Sequence, residues 1–163
     1  QWKGFVPTGQ VITEMSSTLD ILPTIAQWTD TKLPDDRTID GFSIQSLLLN
    51  KNTTSPYTAF FYYQKAQLQA VRTGKWKLHL ALDSTYQSNH FPGFKEGRTA
   101  ELYNLEEDRQ EQHNLASEQP EIVAQLEHLA IYARQHLGDL HQDGDQVRPA
   151  AIVEEPTVRL LEP

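Results

Sequence analysis

Two cations flank a predicted tight turn, and their types and spacing suit the binding of an anion. Arg72 and Lys75 stand on either side of Thr73-Gly74, and such a pair can contact the oxygens of an anionic ester. Exposed cations are also common at the tips of hairpins and along sheet edges. We therefore expect Arg72 and Lys75 to be structural, and we expect Lys77, which alternates with apolar neighbours, to face solvent.

The acidic residues lack the spacing of a metal site. Asp35-Asp36 follows a proline in a loop and should be solvated, and Asp143-Gly144-Asp145 lacks the spaced oxygens and closing glutamate of a calcium loop. No two histidines have the H-E-x-x-H arrangement of a zinc site. The chain contains no cysteine, which excludes disulfides and thiolate ligands. We predict no metal ligand and no catalytic residue in this chain.

One histidine is distinguished by its neighbours. His90 lies with Tyr86 and Asn89 in a long polar segment between two predicted strands, and long loops carry binding functions more often than short ones. The other histidines lie in strand or helix contexts that account for them as surface or partly buried groups. An ordinary surface histidine is the simpler account of His90, and the three residues are retained as candidate binding residues.

Apolar periodicity predicts the elements that position these residues. We expect strands over residues 57–63, 68–72, 76–80 and 101–105, with Thr73-Gly74-Lys75 as a hairpin turn. An amphipathic helix should begin at Pro120, end at Gly138 and cover one face of the sheet. Its apolar stripe consists of Ile122, Leu126, Leu129, Ala133 and Leu137.

The N-terminal region is predicted as an extended and helical arm. A helix should run from Leu19 to Trp28 after a capping cluster of hydroxyl residues, and a shorter one should lie within 42–49. Asp20 would lie in the first turn, where a carboxylate complements the helix dipole. We expect the apolar positions of the longer helix to face the core. These are Leu19, Leu22, Ile25, Ala26 and Trp28.

Composition limits the possible partners. The formal net charge is −8, from 22 acidic and 14 basic residues, which disfavours nucleic acid. No apolar run is long enough to span a bilayer, so we expect no membrane segment. At 163 residues, one domain is the default. We predict a connection over 1–15, a folded subdomain over 16–141 and a tail over 142–163.

Four segments in order resemble the C-terminal part of the sulfatases, most closely of the arylsulfatase A type. A fifth element, Asp108, Glu111 and Asn114-Leu115-Ala116, is similar to the family's D-P-x-E-x-x-N-L-A pattern, with Arg109 in place of proline. The family's formylglycine motif, C/S-x-P-x-R, does not occur in this sequence. The four segments are Leu19-Asp20-Ile21-Leu22-Pro23-Thr24, Asp40-Gly41-Phe42-Ser43, Ala70-Val71-Arg72-Thr73-Gly74-Lys75-Trp76-Lys77 and Glu101-Leu102-Tyr103-Asn104-Leu105.

The resemblance implies an α+β fold and a part in sulfate-ester hydrolysis. The fold would be a four-stranded antiparallel sheet packed by a long C-terminal helix, with the N-terminal arm. Formylglycine and calcium would belong to a preceding α/β catalytic domain, which would be the main partner of this chain. The chain would support that domain, and His90, Tyr86 and Asn89 would lie at the rim of its sulfate-ester pocket. The compartment implied is periplasmic, secreted or lysosomal.

Two alternatives remain open. The chain could be an independent carbohydrate-binding or interaction module, for which Phe60-Phe61-Tyr62-Tyr63 is the candidate platform, or the C-terminal part of a related phosphodiesterase. In either sulfatase or phosphodiesterase, the apolar residues of the arm would normally be covered by another domain. We expect an isolated chain to self-associate through that arm, because large apolar patches rarely stay open in monomers.

Overall fold

The computed structural model describes residues 2–49, 53–82 and 97–147, and has the predicted α+β architecture. The helices are α1 (Ile21–Trp28), α2 (Gln45–Leu48) and α3 (Pro120–Leu137), with a 3₁₀ turn at Thr18–Asp20 before α1. The strands are β1 (Phe60–Gln64), β2 (Gln67–Thr73), β3 (Trp76–His79) and β4 (Glu101–Asn104). They form one antiparallel sheet in the order β1-β2-β3-β4.

The predicted hairpin is confirmed, and it consists of β2 and β3. Thr73 pairs with Trp76 across the Gly74-Lys75 turn, and Gly74 has a φ of 50°, a left-handed conformation that glycine adopts at low cost. Trp76, Leu78 and Leu80 lie on the face that packs against α3, as predicted.

A register shift between Tyr62 and Tyr63 changes which β2 residues face the core. Strict alternation predicts either Leu68, Ala70 and Arg72 or the intervening residues on that face. The structure instead places Leu68 and Val71 together in the core, because the bulge inserts an additional residue between them. Neither of the two alternating sets of β2 residues therefore matches the observed core face.

The long helix covers the sheet with small and large side chains. Leu126, Ala130 and Ala133 of α3 are fully buried and pack with strand residues such as Leu78 and Leu102. Leu137, which we expected in the stripe, is 42% exposed, because the chain turns away at Gly138. There φ is 92°, in the left-handed region that glycine adopts at low cost.

The prediction of the core-facing side of α1 is wrong for Leu19, Leu22 and Ile25 but right for Ala26, and Trp28 is partly buried. Leu22 and Ile25 are 57% and 50% exposed, whereas Pro23, Thr24 and Ala26 are buried. The buried side contacts the segment that leads into α2, and the backbone N–H of Ile44 donates to Oγ1 of Thr24 at 3.0 Å. This α1 contact uses small and polar groups, and Leu22 and Ile25 face away from it.

The chain returns to the end of α3 after the helix. The N–H groups of Asp145 and Gln146 donate to the carbonyls of Gln135 and His136 at 2.9 and 3.0 Å. Asp139 Oδ1 accepts from the N–H of Leu68 at 3.1 Å. Residues 142–147, the first part of the predicted tail, are therefore hydrogen-bonded to the domain.

Candidate functional site

A polar cluster lies on the sheet face opposite α3. Lys77 and His79 flank the buried Leu78 on β3, so both point to the other face. Their partners in register on β4 are Tyr103 and Glu101, and the rings of His79 and Tyr103 make an edge contact at 5.8 Å between centroids. The sheet thus has one apolar face under α3 and one face that carries ionisable groups.

Glu111 joins the two β3 side chains. Its Oε1 lies 2.6 Å from Nζ of Lys77, and its Oε2 lies 2.6 Å from Nε2 of His79. The side chains of Glu111, Lys77 and His79 are 26%, 16% and 20% exposed, respectively. Lys77 is therefore half-buried and paired, not solvated as we predicted. Glu111, which the sequence singled out only as part of the D-P-x-E-x-x-N-L-A element, thus binds two side chains.

The cluster controls the protonation of its members. Burial alone would raise the pKa of Glu111, but hydrogen bonds from Lys77 and His79 hold it below the ordinary 4.5. Burial lowers the pKa of His79 below 6.5, against the opposing effect of Glu111. A neutral His79 ring that donates from Nε2–H to Glu111 fits both shifts.

Arg98 lies next to this cluster, at the end of the segment 83–96. Its backbone exchanges two 2.8 Å hydrogen bonds with Leu82, one from each N–H. Its guanidinium donates to the carbonyls of Gln69 at 2.9 Å and Leu80 at 3.2 Å. Burial lowers the pKa of Arg98 from its ordinary value. Leu82 and Arg98, which flank residues 83–96 in sequence, are thus held beside β2 and β3.

The sequence-predicted binding residues fall in that segment. His90, Tyr86 and Asn89 lie outside the residues that the structure describes. The cations of the hairpin have local contacts: Arg72 Nε donates to the carbonyl of Gly74 at 3.0 Å, and Lys75 lies over the Trp76 ring at 5.3 Å. Their contacts agree with the structural role that we predicted.

The acidic residues considered for metal binding make ordinary surface contacts. Asp35 and Asp36 pair with Lys32 and Arg37, respectively, and Asp145 pairs with His136. Within 2–49, 53–82 and 97–147, no group of three or more His, Cys, Asp or Glu side chains could hold a metal ion.

Asp20 has a larger role than the helix dipole suggested. It is fully buried, and its carboxylate accepts hydrogen bonds from the N–H of Ser17 at 2.7 Å, the N–H of Phe42 at 2.9 Å and the hydroxyl of Tyr57 at 2.5 Å. Ser17 and Asp20 form a capping box around the 3₁₀ turn. Asp20 thereby joins the arm, the Asp40-Gly41-Phe42 segment and the entry to β1.

The comparisons with known sequences point to one family. The model described as "C-terminal region of aryl-sulfatase" matches residues 55–161. Arylsulfatase A of Homo sapiens is 32% identical over 82% of this chain and 29% of its own length. Steryl-sulfatase of Rattus norvegicus is 27% identical over 100% of this chain and 32% of its own length. The chain thus spans about a third of the length of these relatives.

Solved structures agree at the level of fold. A sulfatase from Pseudoalteromonas sp. superposes with a TM-score of 0.63 at 19% identity, over 80% of this chain and 28% of that one. This similarity concerns the fold alone. Among the described residues, no helix is both long enough and apolar enough to cross a membrane.

Proposed function

Because the chain belongs to the family of aryl-sulfatase C-terminal regions, we propose that it works as part of a sulfate-ester hydrolase whose catalytic groups lie outside this sequence. The resemblance implies formylglycine and calcium in an α/β catalytic domain, and the formylglycine motif C/S-x-P-x-R does not occur in this sequence. The family match carries this proposal. The same resemblance implies a periplasmic, secreted or lysosomal compartment.

We propose that the arm supports the catalytic domain. The arm surface, defined here as Trp2, Phe5, Leu22 and Ile25, exposes between 44% and 57% of each side chain. Trp2 stacks on Phe5 with ring centroids 4.6 Å apart and contacts Trp28 of α1 edge-on at 4.9 Å. Patches of this kind usually mark an interface. The catalytic domain is the occupant we propose, since the chain spans about a third of the relatives' length.

We further propose that the segment 83–96 lies at the rim of the substrate pocket, with His90, Tyr86 and Asn89 as its contacting residues. The bonds of Arg98 and Leu82 support this, because these two residues flank the segment and Arg98 lies near the polar cluster. Loops that a rigid scaffold positions often carry binding residues.

A matched pair of isoleucines tests the supporting role in the longer polypeptide that the proposal requires. Ile25 and Ile131 are 50% and 49% exposed, and each lies on a helix. Ile25→Asp should lower both the activity and the unfolding temperature of the catalytic domain, because it places a charge in the proposed interface. Ile131→Asp should leave both close to their original values. Equal effects of the two substitutions would contradict the proposed interface.

The rim proposal is tested separately in the same polypeptide. His90→Ala should raise KM for an aryl sulfate with a smaller change in kcat, because a rim residue contributes binding in both the ground and transition states. The control is His113→Ala, whose side chain is 80% exposed. An unchanged KM in His90→Ala would remove this residue from the pocket.

The isolated chain should self-associate through the arm surface. Without a catalytic domain, a second copy is available to cover the exposed aromatic and aliphatic groups. Light scattering should therefore detect dimers or larger species, and Ile25→Asp should shift the population toward monomer. A strict monomer at all accessible concentrations would contradict self-association, while leaving the family assignment intact.

A further inference from the structure

A groove of about 860 Å³ runs along the outer side of β1. Among the strands that the structure describes, β1 is at the edge of the sheet, with β2 as its neighbour. The backbone of an edge strand can receive a further strand. Its lining includes Thr58 and Phe60 near the start of β1, Ile39 and Phe42 of the arm, and Tyr132 and Leu137 of α3.

The chain reaches this groove at the end of the described region. Val147 lines the groove and is 56% exposed. The residues before it are held in place, since Gln146 N–H donates to the carbonyl of His136 and Asp139 accepts from the N–H of Leu68. The described part of the chain therefore ends at this groove.

The sequence that follows is suited to an extended conformation. Residues 148–163 contain two apolar pairs, Ile152-Val153 and Leu160-Leu161, and Val158 lies between them. β-branched residues are favoured in strands. An extended chain rises about 3.3 Å per residue, so this segment is long enough to run beside the five residues of β1. The family match continues to residue 161, which indicates that the segment belongs to the same structural unit.

We propose that residues 148–163 dock in this groove and pair with the outer edge of β1. The pairing would extend the sheet to a fifth strand and cover apolar groups such as Phe60 and Tyr132. The proposal does not depend on a role in sulfate-ester hydrolysis, because the groove and its occupant both belong to this chain.

Hydrogen exchange on the full chain tests the docking. The outward-facing amides of β1 should be protected, and Ile152→Asp with Val153→Asp should increase their exchange about tenfold or more, since the covering strand is lost. The control is Glu154→Ser with Glu155→Ser, two polar positions in the same segment, which should leave exchange unchanged. Amides of β3 and β4 report whether the fold itself remains intact. Unprotected β1 amides in the original chain would overturn the proposal.

The source of the protection is tested in two ways. A peptide of sequence 148–163 should restore protection to the Ile152→Asp, Val153→Asp chain, and a scrambled peptide should not. Protection in the original chain should be the same at protein concentrations tenfold apart. Protection that grows with concentration would indicate a second copy in the groove and would overturn docking in cis.

Cross-linking gives a further readout should the aspartate variant lose its fold. The natural chain has no cysteine, so introduced cysteines are the only thiols. Thr58→Cys should form an intramolecular disulfide with at least one cysteine placed singly along 150–160. Gln112→Cys, at an exposed position beyond β4, is the control and should form none. Absence of any cross-link from position 58 would contradict the docking.

Discussion

The hydroxyl of Tyr57 donates a 2.5 Å hydrogen bond to Oδ1 of Asp20, and this bond joins the arm to the segment that enters β1. Burial of Tyr57, together with its bond to Asp20, raises the pKa of the phenol well above its ordinary 10.0. Asp20 itself is fully buried. A buried carboxylate is tolerated only while its donors remain in place, so Asp20 and Tyr57 should be coupled energetically.

A double-mutant cycle measures that coupling. Asp20→Ala should cost about 3–5 kcal/mol because it leaves buried donors unpaired, and Tyr57→Phe should cost about 1–3 kcal/mol. Together they should cost less than the sum, as judged by urea unfolding. Tyr132→Phe, at a tyrosine that is 51% exposed, is the control and should be near neutral. Costs that add within about 0.5 kcal/mol would show that the two residues are independent.

Gly41 permits the contact that brings Phe42 to Asp20. A Cβ at Gly41 would lie 2.0 Å from the carbonyl oxygen of Leu19, so Gly41→Ala must displace backbone and should cost about 3 kcal/mol. At Gly74 a Cβ meets nothing within 4 Å, and only the left-handed φ opposes alanine, at about 1–2 kcal/mol. The unfolding temperature of Gly41→Ala should be lower than that of Gly74→Ala. The reverse order would contradict the close approach of Gly41 to Leu19.

The helix face is tested by neighbouring positions on α3. Leu126 is fully buried, and Gln125 beside it is exposed. Leu126→Asp should cost several kcal/mol because it buries an unpaired charge against the sheet. Gln125→Asp should be close to neutral. Equal denaturation midpoints would mean that the face is wrongly assigned.

The periodic elements of this fold follow from sequence, and the irregular contacts do not. The Trp76 hairpin and the Pro120 helix were predicted because strong apolar patterns coincide with glycine and proline signals. The outward face of α1 was missed, since its burial is decided by distant partners such as Ile44 and not by its own periodicity. The bulge at Tyr62 likewise leaves no period in the sequence.

The same limit applies to the candidate site. The link between Glu111 and His79 spans 32 positions in sequence and depends on the left-handed backbone at Glu111, where φ is 56°. No local pattern reports such a contact. The similarity of Asp108, Glu111 and Asn114 to the family pattern drew attention to Glu111 but did not indicate its partners.

Acidification should weaken the fold through this cluster. The lowered pKa of His79 means that the folded state favours the neutral ring, so its contribution is present above pH 6.5 and is lost as pH falls below that value. The lowered pKa of Glu111 adds a second loss below pH 4.5. His79→Gln should flatten the dependence of unfolding free energy on pH just below 6.5, and His128→Gln, at an exposed position, should not. Identical pH profiles would contradict the assignment.

Sulfate release from an aryl sulfate in the presence of calcium tests the central claim most directly. The assay compares this chain with a longer polypeptide in which a catalytic domain precedes it. We predict turnover by the longer polypeptide and none by this chain, because the chemistry requires groups that the proposal assigns to the catalytic domain. Calcium-dependent turnover by this chain alone, surviving repeated purification, would contradict the account.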